Sequence, residues 1–195
     1  MTDLPQQRLT ELLDELASAS PAPGGGSGAA LACALGAGLV EMAMRIELRR
    51  GENAVLTEER LERVAGLRRH ALDLAEAELS AYAPVLEARR MPAGDPARAA
   101  RIDEALEEAS LGPLDIAETA AEVAELGERV AGVADAAVRG DAVTGVILAE
   151  AAAAAATGLV EVNAGDRSSA AAVVSARAAA SRAASARGRA TGNQH

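Results

Sequence analysis

The chain has 195 residues, half of them apolar, with no Phe or Trp, one tyrosine (Tyr82) and one cysteine (Cys33). That length suits one domain with a real core, and a lone cysteine excludes an intramolecular disulfide framework and fits a reducing compartment. The net charge is −10 and every one of the 19 basic residues is Arg, so an acidic body without aromatic stacking platforms argues against nucleic acid as a partner.

A core without large aromatics has to be built from Leu, Val, Ile, Met and Ala, and Ala both favours helix and lets helices approach closely. The expected architecture is all-α, a single-domain bundle of about six to seven helices around a central small-residue helix. Leu9, Leu12, Leu13 and Leu16 recur at helical spacing, predicting an amphipathic first helix over residues 4–19. It stops at Pro21-Ala22-Pro23-Gly24-Gly25-Gly26-Ser27. A glycine-rich loop running into a helix start offers exposed amides to an anion or polar ligand, and equally is a tight turn into a crowded core. No Gly-Lys-Ser/Thr follows at P-loop spacing and no strand precedes it, which excludes a P-loop or dinucleotide turn.

The next helix, over residues 27–48 with Ser27 as N-cap, is apolar or small on nearly every side until Glu41 and reads as the central buried helix. Its uninterrupted apolar span is too short for a transmembrane segment, so no membrane role is expected. A polar connector containing Arg49-Arg50-Gly51 leads to Thr57-Glu58-Glu59, a helix start, and a long helix carries on to residue 90 with a kink at Pro84. Further helices are expected over 96–110, 113–131, 141–163 and 168–186, and alternating β-branched runs are missing. The domain is drawn as 1–187 with a flexible tail over 188–195. After Asp166 there is no acidic residue, so this last segment carries +5 and the rest −15. The N-terminus is polar and has no secretory signal pattern, which reads as cytoplasmic.

These residues carry a resemblance. Leu13-Asp14-Glu15-Leu16-Ala17, then Pro21-x-Pro-Gly-Gly-Gly-Ser27 and the small-residue run from Ala29 to Gly36, are similar to the opening of the formiminotransferase-cyclodeaminase C-terminal domain family. That family includes stand-alone methenyltetrahydrofolate cyclohydrolases. The likeness continues through Ala81-Tyr82, Val85-Leu86, Met91-Pro92, Glu104-Ala105-Leu106, Gly112-Pro113-Leu114-Asp115-Ile116-Ala117-Glu118, Asp141-Ala142, Gly145-Val146 and Val160-x-Val162-Asn163, over about residues 8–165. The resemblance implies an all-helical homodimer acting on the one-carbon bridge of a tetrahydrofolate derivative. The leading activity is hydrolysis of 5,10-methenyltetrahydrofolate to 10-formyltetrahydrofolate, because a chain this short has no room for a formiminotransferase part. The alternatives are formiminotetrahydrofolate cyclodeamination with release of ammonia, and a non-catalytic descendant that binds a folate or pairs helices. No cofactor and no metal are implied, and His70 and His195, the only imidazoles, lie far apart in sequence.

On the same resemblance, Asp141 and Glu78 are the candidate catalytic carboxylates. Asp141 reads equally as an N-cap, and Glu78 as an exposed helix carboxylate. Gly24, Gly25, Gly26 and Ser27 are candidates for holding a folate carbonyl or carboxylate. Arg45, Arg49 and Arg50 are candidates for the glutamyl tail. Tyr82 could stack on a pterin or sit at the rim of the core, and Asn163 could bind the pterin edge or end a helix. Two departures stand out. Relatives carry a Lys-rich segment where this chain has Arg45 to Gly51, and arginine stays protonated, so it cannot replace a lysine base. The relatives' Gly-Asn-x-Asn is replaced by Ala134-Asp135-Ala136-Ala137. The Ala-rich stretches 151–157 and 170–186 are the expected dimer seams.

Overall fold

The computed structural model describes residues 4–20, 22–51, 56–166 and 170–192. A 3₁₀ turn at Leu4–Gln6 precedes eight α-helices: α1 Leu9–Leu16, α2 Gly25–Arg50, α3 Glu58–Ala81, α4 Ala83–Arg90, α5 Arg98–Glu108, α6 Leu111–Val133, α7 Ala136–Ala164 and α8 Ala171–Gly192. No strand occurs among the described residues, and the protein is an all-α single domain. Five long helices, α2, α3, α6, α7 and α8, make the bundle, and α4 and α5 form a hairpin packed beside it around Val85, Ala105 and Ala109.

The bundle is organised by α2. Its Gly36 crosses Gly145 of α7 so closely that a Cβ on either would stand 2.7 Å from the other's carbonyl oxygen. Only a hydrogen fits there, so two long helices meet backbone to backbone without a side chain to space them. Gly25 lies against Leu159 and the Asp135 amide donates to Glu47 Oε1 at 3.2 Å, which makes α7 antiparallel to α2. Arg68 of α3 reaches Glu41, and Ser27 Oγ donates to the carbonyl of Ala75, so α3 is antiparallel as well. Gly127 of α6 packs under Val40, leaving α6 parallel to α2. Val40, Met44, Val64, Ile116, Val123, Val130 and Val146 fill the space between these four helices. Cys33 lies wholly inside this core, and burial pushes its thiol up to about 12, so it is an inert apolar residue at neutral pH.

Both α2 and α7 are long and apolar enough to cross a bilayer by length and composition. Here they are the paired central helices, which is how an apolar helix of this length serves a bundle core. The basic last segment is α8. It buries Val173, Ala176, Ala179, Ala183, Ala186 and Ala190 in the groove between α6 and α7. Its arginines pair alternately with the two helices beneath: Arg177 with Glu161 and Arg187 with Glu150 on α7, Arg182 with Glu125 and Arg189 with Glu128 on α6. The lopsided charge is thus an intramolecular match, each exposed pair contributing about 0.2–1 kcal/mol.

Several boundaries differ from expectation for local reasons. The first helix is split, because Arg8 is extended before α1; Leu12 is buried while Leu9 and Leu13 face outward. The long helix expected to kink at Pro84 divides two residues earlier, at Tyr82, and Pro84 sits in the first turn of α4, where a missing N–H costs nothing. The N-cap of α2 is Gly24 rather than Ser27. That of α7 is Asp135, which accepts from the Ala137 amide at 2.9 Å, so Asp141 lies inside the helix and not at its start. Last, α8 runs to Gly192 with Ala190 buried, past the drawn limit at 187, and residues 193–195 lie outside the described residues.

Candidate functional site

The sequence-predicted residues fall into two groups at opposite ends of α2. At its N-terminal end meet the start of α2, the end of α3, the start of α6 and the end of α7, with the α4–α5 hairpin beside them. Glu78 is in the last turns of α3. Its side chain reaches between the first turns of α2 and α6, where Cβ atoms on Gly26 and Gly112 would overlap its two carboxylate oxygens, Oε2 and Oε1 respectively. Burial raises its carboxyl above the usual range. It makes no hydrogen bond or ion pair with any described residue. Glu76, two residues earlier on the same helix, is instead held by the amide of Leu4 at 2.7 Å. The first turns of two helices, with their excess amides and positive dipole ends, surround a carboxyl group that nothing neutralises.

Two of the other expected members at this end, Ser27 and Asn163, are committed to structure. Ser27 is fully buried and its hydroxyl donates to the Ala75 carbonyl at 3.0 Å, so it ties α2 to α3 and does not face a ligand. Asn163 is buried, with Nδ2 donating to the Ala109 carbonyl at 3.0 Å, which fastens the end of α7 to the α5–α6 junction. Gly24 and Gly25 are exposed at the helix start. Tyr82, one turn beyond Glu78, is 38% exposed, and the Arg89 guanidinium stands over its ring at 5.8 Å.

At the C-terminal end of α2 the charges are matched. Glu41 is buried and takes Arg45 at 2.6 Å and Arg68 at 2.8 Å. Burial pushes its carboxyl up, but the hydrogen bonds from Arg68 and Arg45 outweigh it, and the net position is below the usual range. Arg50 pairs with Glu47 at 3.2 Å and with Asp135 at 3.4 Å. The Asp135 carboxyl is held below its usual range by the Ala137 amide first and by Arg50 second. Arg45 and Arg49 line a groove of about 410 Å³ with Gly38, Glu41, Met42, Ile46 and Arg68. Arg49 is the member of the expected arginine trio without a carboxylate partner among the described residues. Asp141 is half-buried on α7 beside this end of α2.

The structure does not bring Asp141 and Glu78 together. The antiparallel register sets Asp141 level with about Ala43 of α2, while Glu78 touches Gly26; at 1.5 Å per residue they stand about 25 Å apart along the helix. A groove of about 1010 Å³ between α3, α6 and α8 contains none of the expected residues. Its polar groups satisfy one another, as Arg63 with Glu122, His70 with Asp115 at 3.0 Å, and Arg182 with Glu125. Sequence reasoning missed Gly112 as part of the Glu78 surroundings; its position just before Pro113 at a helix start was the available signal. No group of three or more His, Cys, Asp or Glu able to hold a metal occurs among the described residues.

The formiminotransferase-cyclodeaminase family model matches residues 8–182. The fold is also that of the crystal structure of a formiminotetrahydrofolate cyclodeaminase from Thermotoga maritima. It superposes with a TM-score of 0.85 and 21% sequence identity over 97% of this chain and 96% of that one. No curated protein sequence matches the chain.

Proposed function

The chain belongs to the formiminotransferase-cyclodeaminase family, and on that premise we propose that it acts on the one-carbon bridge of a tetrahydrofolate, hydrolysing 5,10-methenyltetrahydrofolate to 10-formyltetrahydrofolate. The observation that carries this reading is Glu78, a half-buried, unpaired carboxyl group with a raised affinity for its proton. A raised, unpaired carboxyl group of this kind is suited to the task of a general acid–base catalyst. In the reaction, water adds to the bridging carbon, which is bonded to N5 and N10 and carries positive charge. The Glu78 carboxylate takes one proton from that water and returns it to N5 as the N5–carbon bond breaks. The second proton is released as the carbonyl forms, leaving the formyl group on N10. One carboxyl group suffices, which matters because Asp141 is about 25 Å away within the subunit. Gly24, Gly25 and Gly26 would offer amides to a folate carbonyl or carboxylate and Tyr82 its ring, whereas Arg49, near the last residue of α2, stands about 35 Å from Gly26 along the helix and is not part of this site. The reaction written this way uses water and no metal or added cofactor.

A second reading, cyclodeamination of formiminotetrahydrofolate, is favoured by the likeness to the Thermotoga protein. There the protonated form of Glu78 would deliver its proton to the departing ammonia. We further propose a homodimer in the cytoplasm. The Ala-rich seams expected at 151–157 and 170–186 bury Ala152, Ala153, Ala156, Ala176, Ala179, Ala183 and Ala186 inside the subunit. Part of the apolar surface left exposed is the outer face of α2 and α7, where Leu35 is 66% exposed and Met42 and Ile147 are also open. That face is the proposed seam, and light scattering at micromolar concentration should give twice the chain mass.

The decisive assay follows loss of methenyltetrahydrofolate absorbance above the spontaneous rate and, in parallel, ammonia release from formiminotetrahydrofolate. Acceleration of the first supports hydrolysis, and of the second cyclodeamination. If neither is accelerated, the protein is not an enzyme of this class, and a melting-temperature rise with added folate would mark it as a binder.

A further inference from the structure

We infer that Gly26 and Gly112 are positioning residues that together hold the Glu78 carboxyl group in place; this rests on Glu78 being the proton-moving group proposed above. Both glycines sit in first turns, on α2 and α6, and neither has a positive φ; among the described residues only Gly51 and Gly165 do. Their backbones therefore give no reason to prefer glycine, which in a helix is the poorer choice beside alanine. What each lacks is a Cβ, and in both cases the space a Cβ would take is already occupied by Glu78: Oε2 at Gly26, Oε1 at Gly112. No other glycine of these two helices meets Glu78: Gly28 and Gly132 would meet nothing within 4 Å, and the close neighbours of Gly36 and Gly127 lie on α7 and at Val40. One carboxyl group thus fills two gaps contributed by two helices that begin 86 residues apart in sequence.

The consequence is chemical as well as steric. The gap withdraws Glu78 from water, and that withdrawal is what raises its carboxyl. A Cβ at either glycine pushes the carboxylate outward, toward solvent, and its acidity returns toward that of an ordinary glutamate. The groups that face it from the packed elements are the two helix starts, whose dipoles favour the carboxylate and so oppose the rise, and no titratable partner among the described residues.

The test is carbon-13 NMR titration of the Glu78 carboxyl in the intact protein without substrate, assigned by its loss in Glu78→Gln. The Gly112→Ala variant should lower the titration midpoint by about half a unit to one unit, Gly26→Ala should do the same, and Gly66→Ala, on the helix that carries Glu78, should leave it in place. Replacing Glu78 by Asp in the Gly112→Ala background shortens the side chain by one methylene and should restore melting temperature lost to the clash, which keeps the test open if Gly112→Ala alone folds poorly. An unmoved midpoint in both Gly→Ala variants, or equal stability loss with and without the Asp, overturns the inference. Because the readout needs no folate, a shifted midpoint in a protein without folate turnover would uphold the positioning role while rejecting the proposed reaction.

Discussion

The two ends of α2 carry the same kinds of residue and treat them oppositely. At the C-terminal end, Glu41 and Glu47 are buried, and each carboxylate is met by arginine within 3.2 Å. At the N-terminal end, Glu78 enters a gap between two helix starts with no cation beside it. Matched charges hold α2 to α3 and to the α6–α7 corner, and a matched carboxylate has little freedom to exchange its proton. An unmatched one is a cost to the fold, and a cost retained beside glycines that accommodate it points to chemistry. The difference is between a fastening and a reactive group, and it is invisible to residue type alone.

The largest effect that would break this comparison is expected at the fastening. Replacing Glu41 by Gln leaves Arg45 and Arg68 without their acceptor charge, and should lower stability by about 1–3 kcal/mol in denaturant melts at neutral pH. The Glu41 carboxyl is depressed in the folded state, so its contribution is present above the ordinary glutamate range and fades as pH falls through the folded value. The penalty of Glu41→Gln should therefore shrink on acidification. Glu78 should behave in the opposite sense and more weakly. Its folded carboxyl is raised, so the protonated form is the one the fold prefers, and stability is lost as pH rises through that raised value. Glu78→Gln, which mimics the protonated form, should raise the melting temperature modestly at neutral pH, with the gain vanishing below the ordinary glutamate range. Equal signs for the two variants across pH would mean that the two ends do not differ in kind.

Much of the fold was legible in the chain. Leucine spacing, the Pro-Gly stop before α2 and the absence of alternating β-branched runs each report local geometry, and local geometry is what a bundle is made from. Boundaries failed where a neighbour decided them. Ser27 looks like an N-cap, but its hydroxyl finds the Ala75 carbonyl across the bundle. Asp135, not Asp141, caps α7. The seams of α7 and α8 were unreadable because alanine covers nearly every face, so no periodicity distinguishes the side that packs inward. The site was legible in its parts and not in its grouping. Glu76 and Glu78 are two residues apart and hence on different sides of α3. Which of them is spoken for depends on Leu4, 72 residues from Glu76. That Asp141 stands beside the opposite end of α2 from Glu78 follows from an antiparallel register that no motif encodes.

The central claim is that Glu78 moves the proton in a folate one-carbon reaction. The measurement that meets it most directly is the decay of methenyltetrahydrofolate absorbance as a function of pH, for the wild-type protein and for Glu78→Gln. Acceleration over the spontaneous rate should fall as acid protonates Glu78, and the variant should lose about 10²–10⁴-fold, with no remaining acid limb. A variant that retains the wild-type rate and pH profile would contradict it.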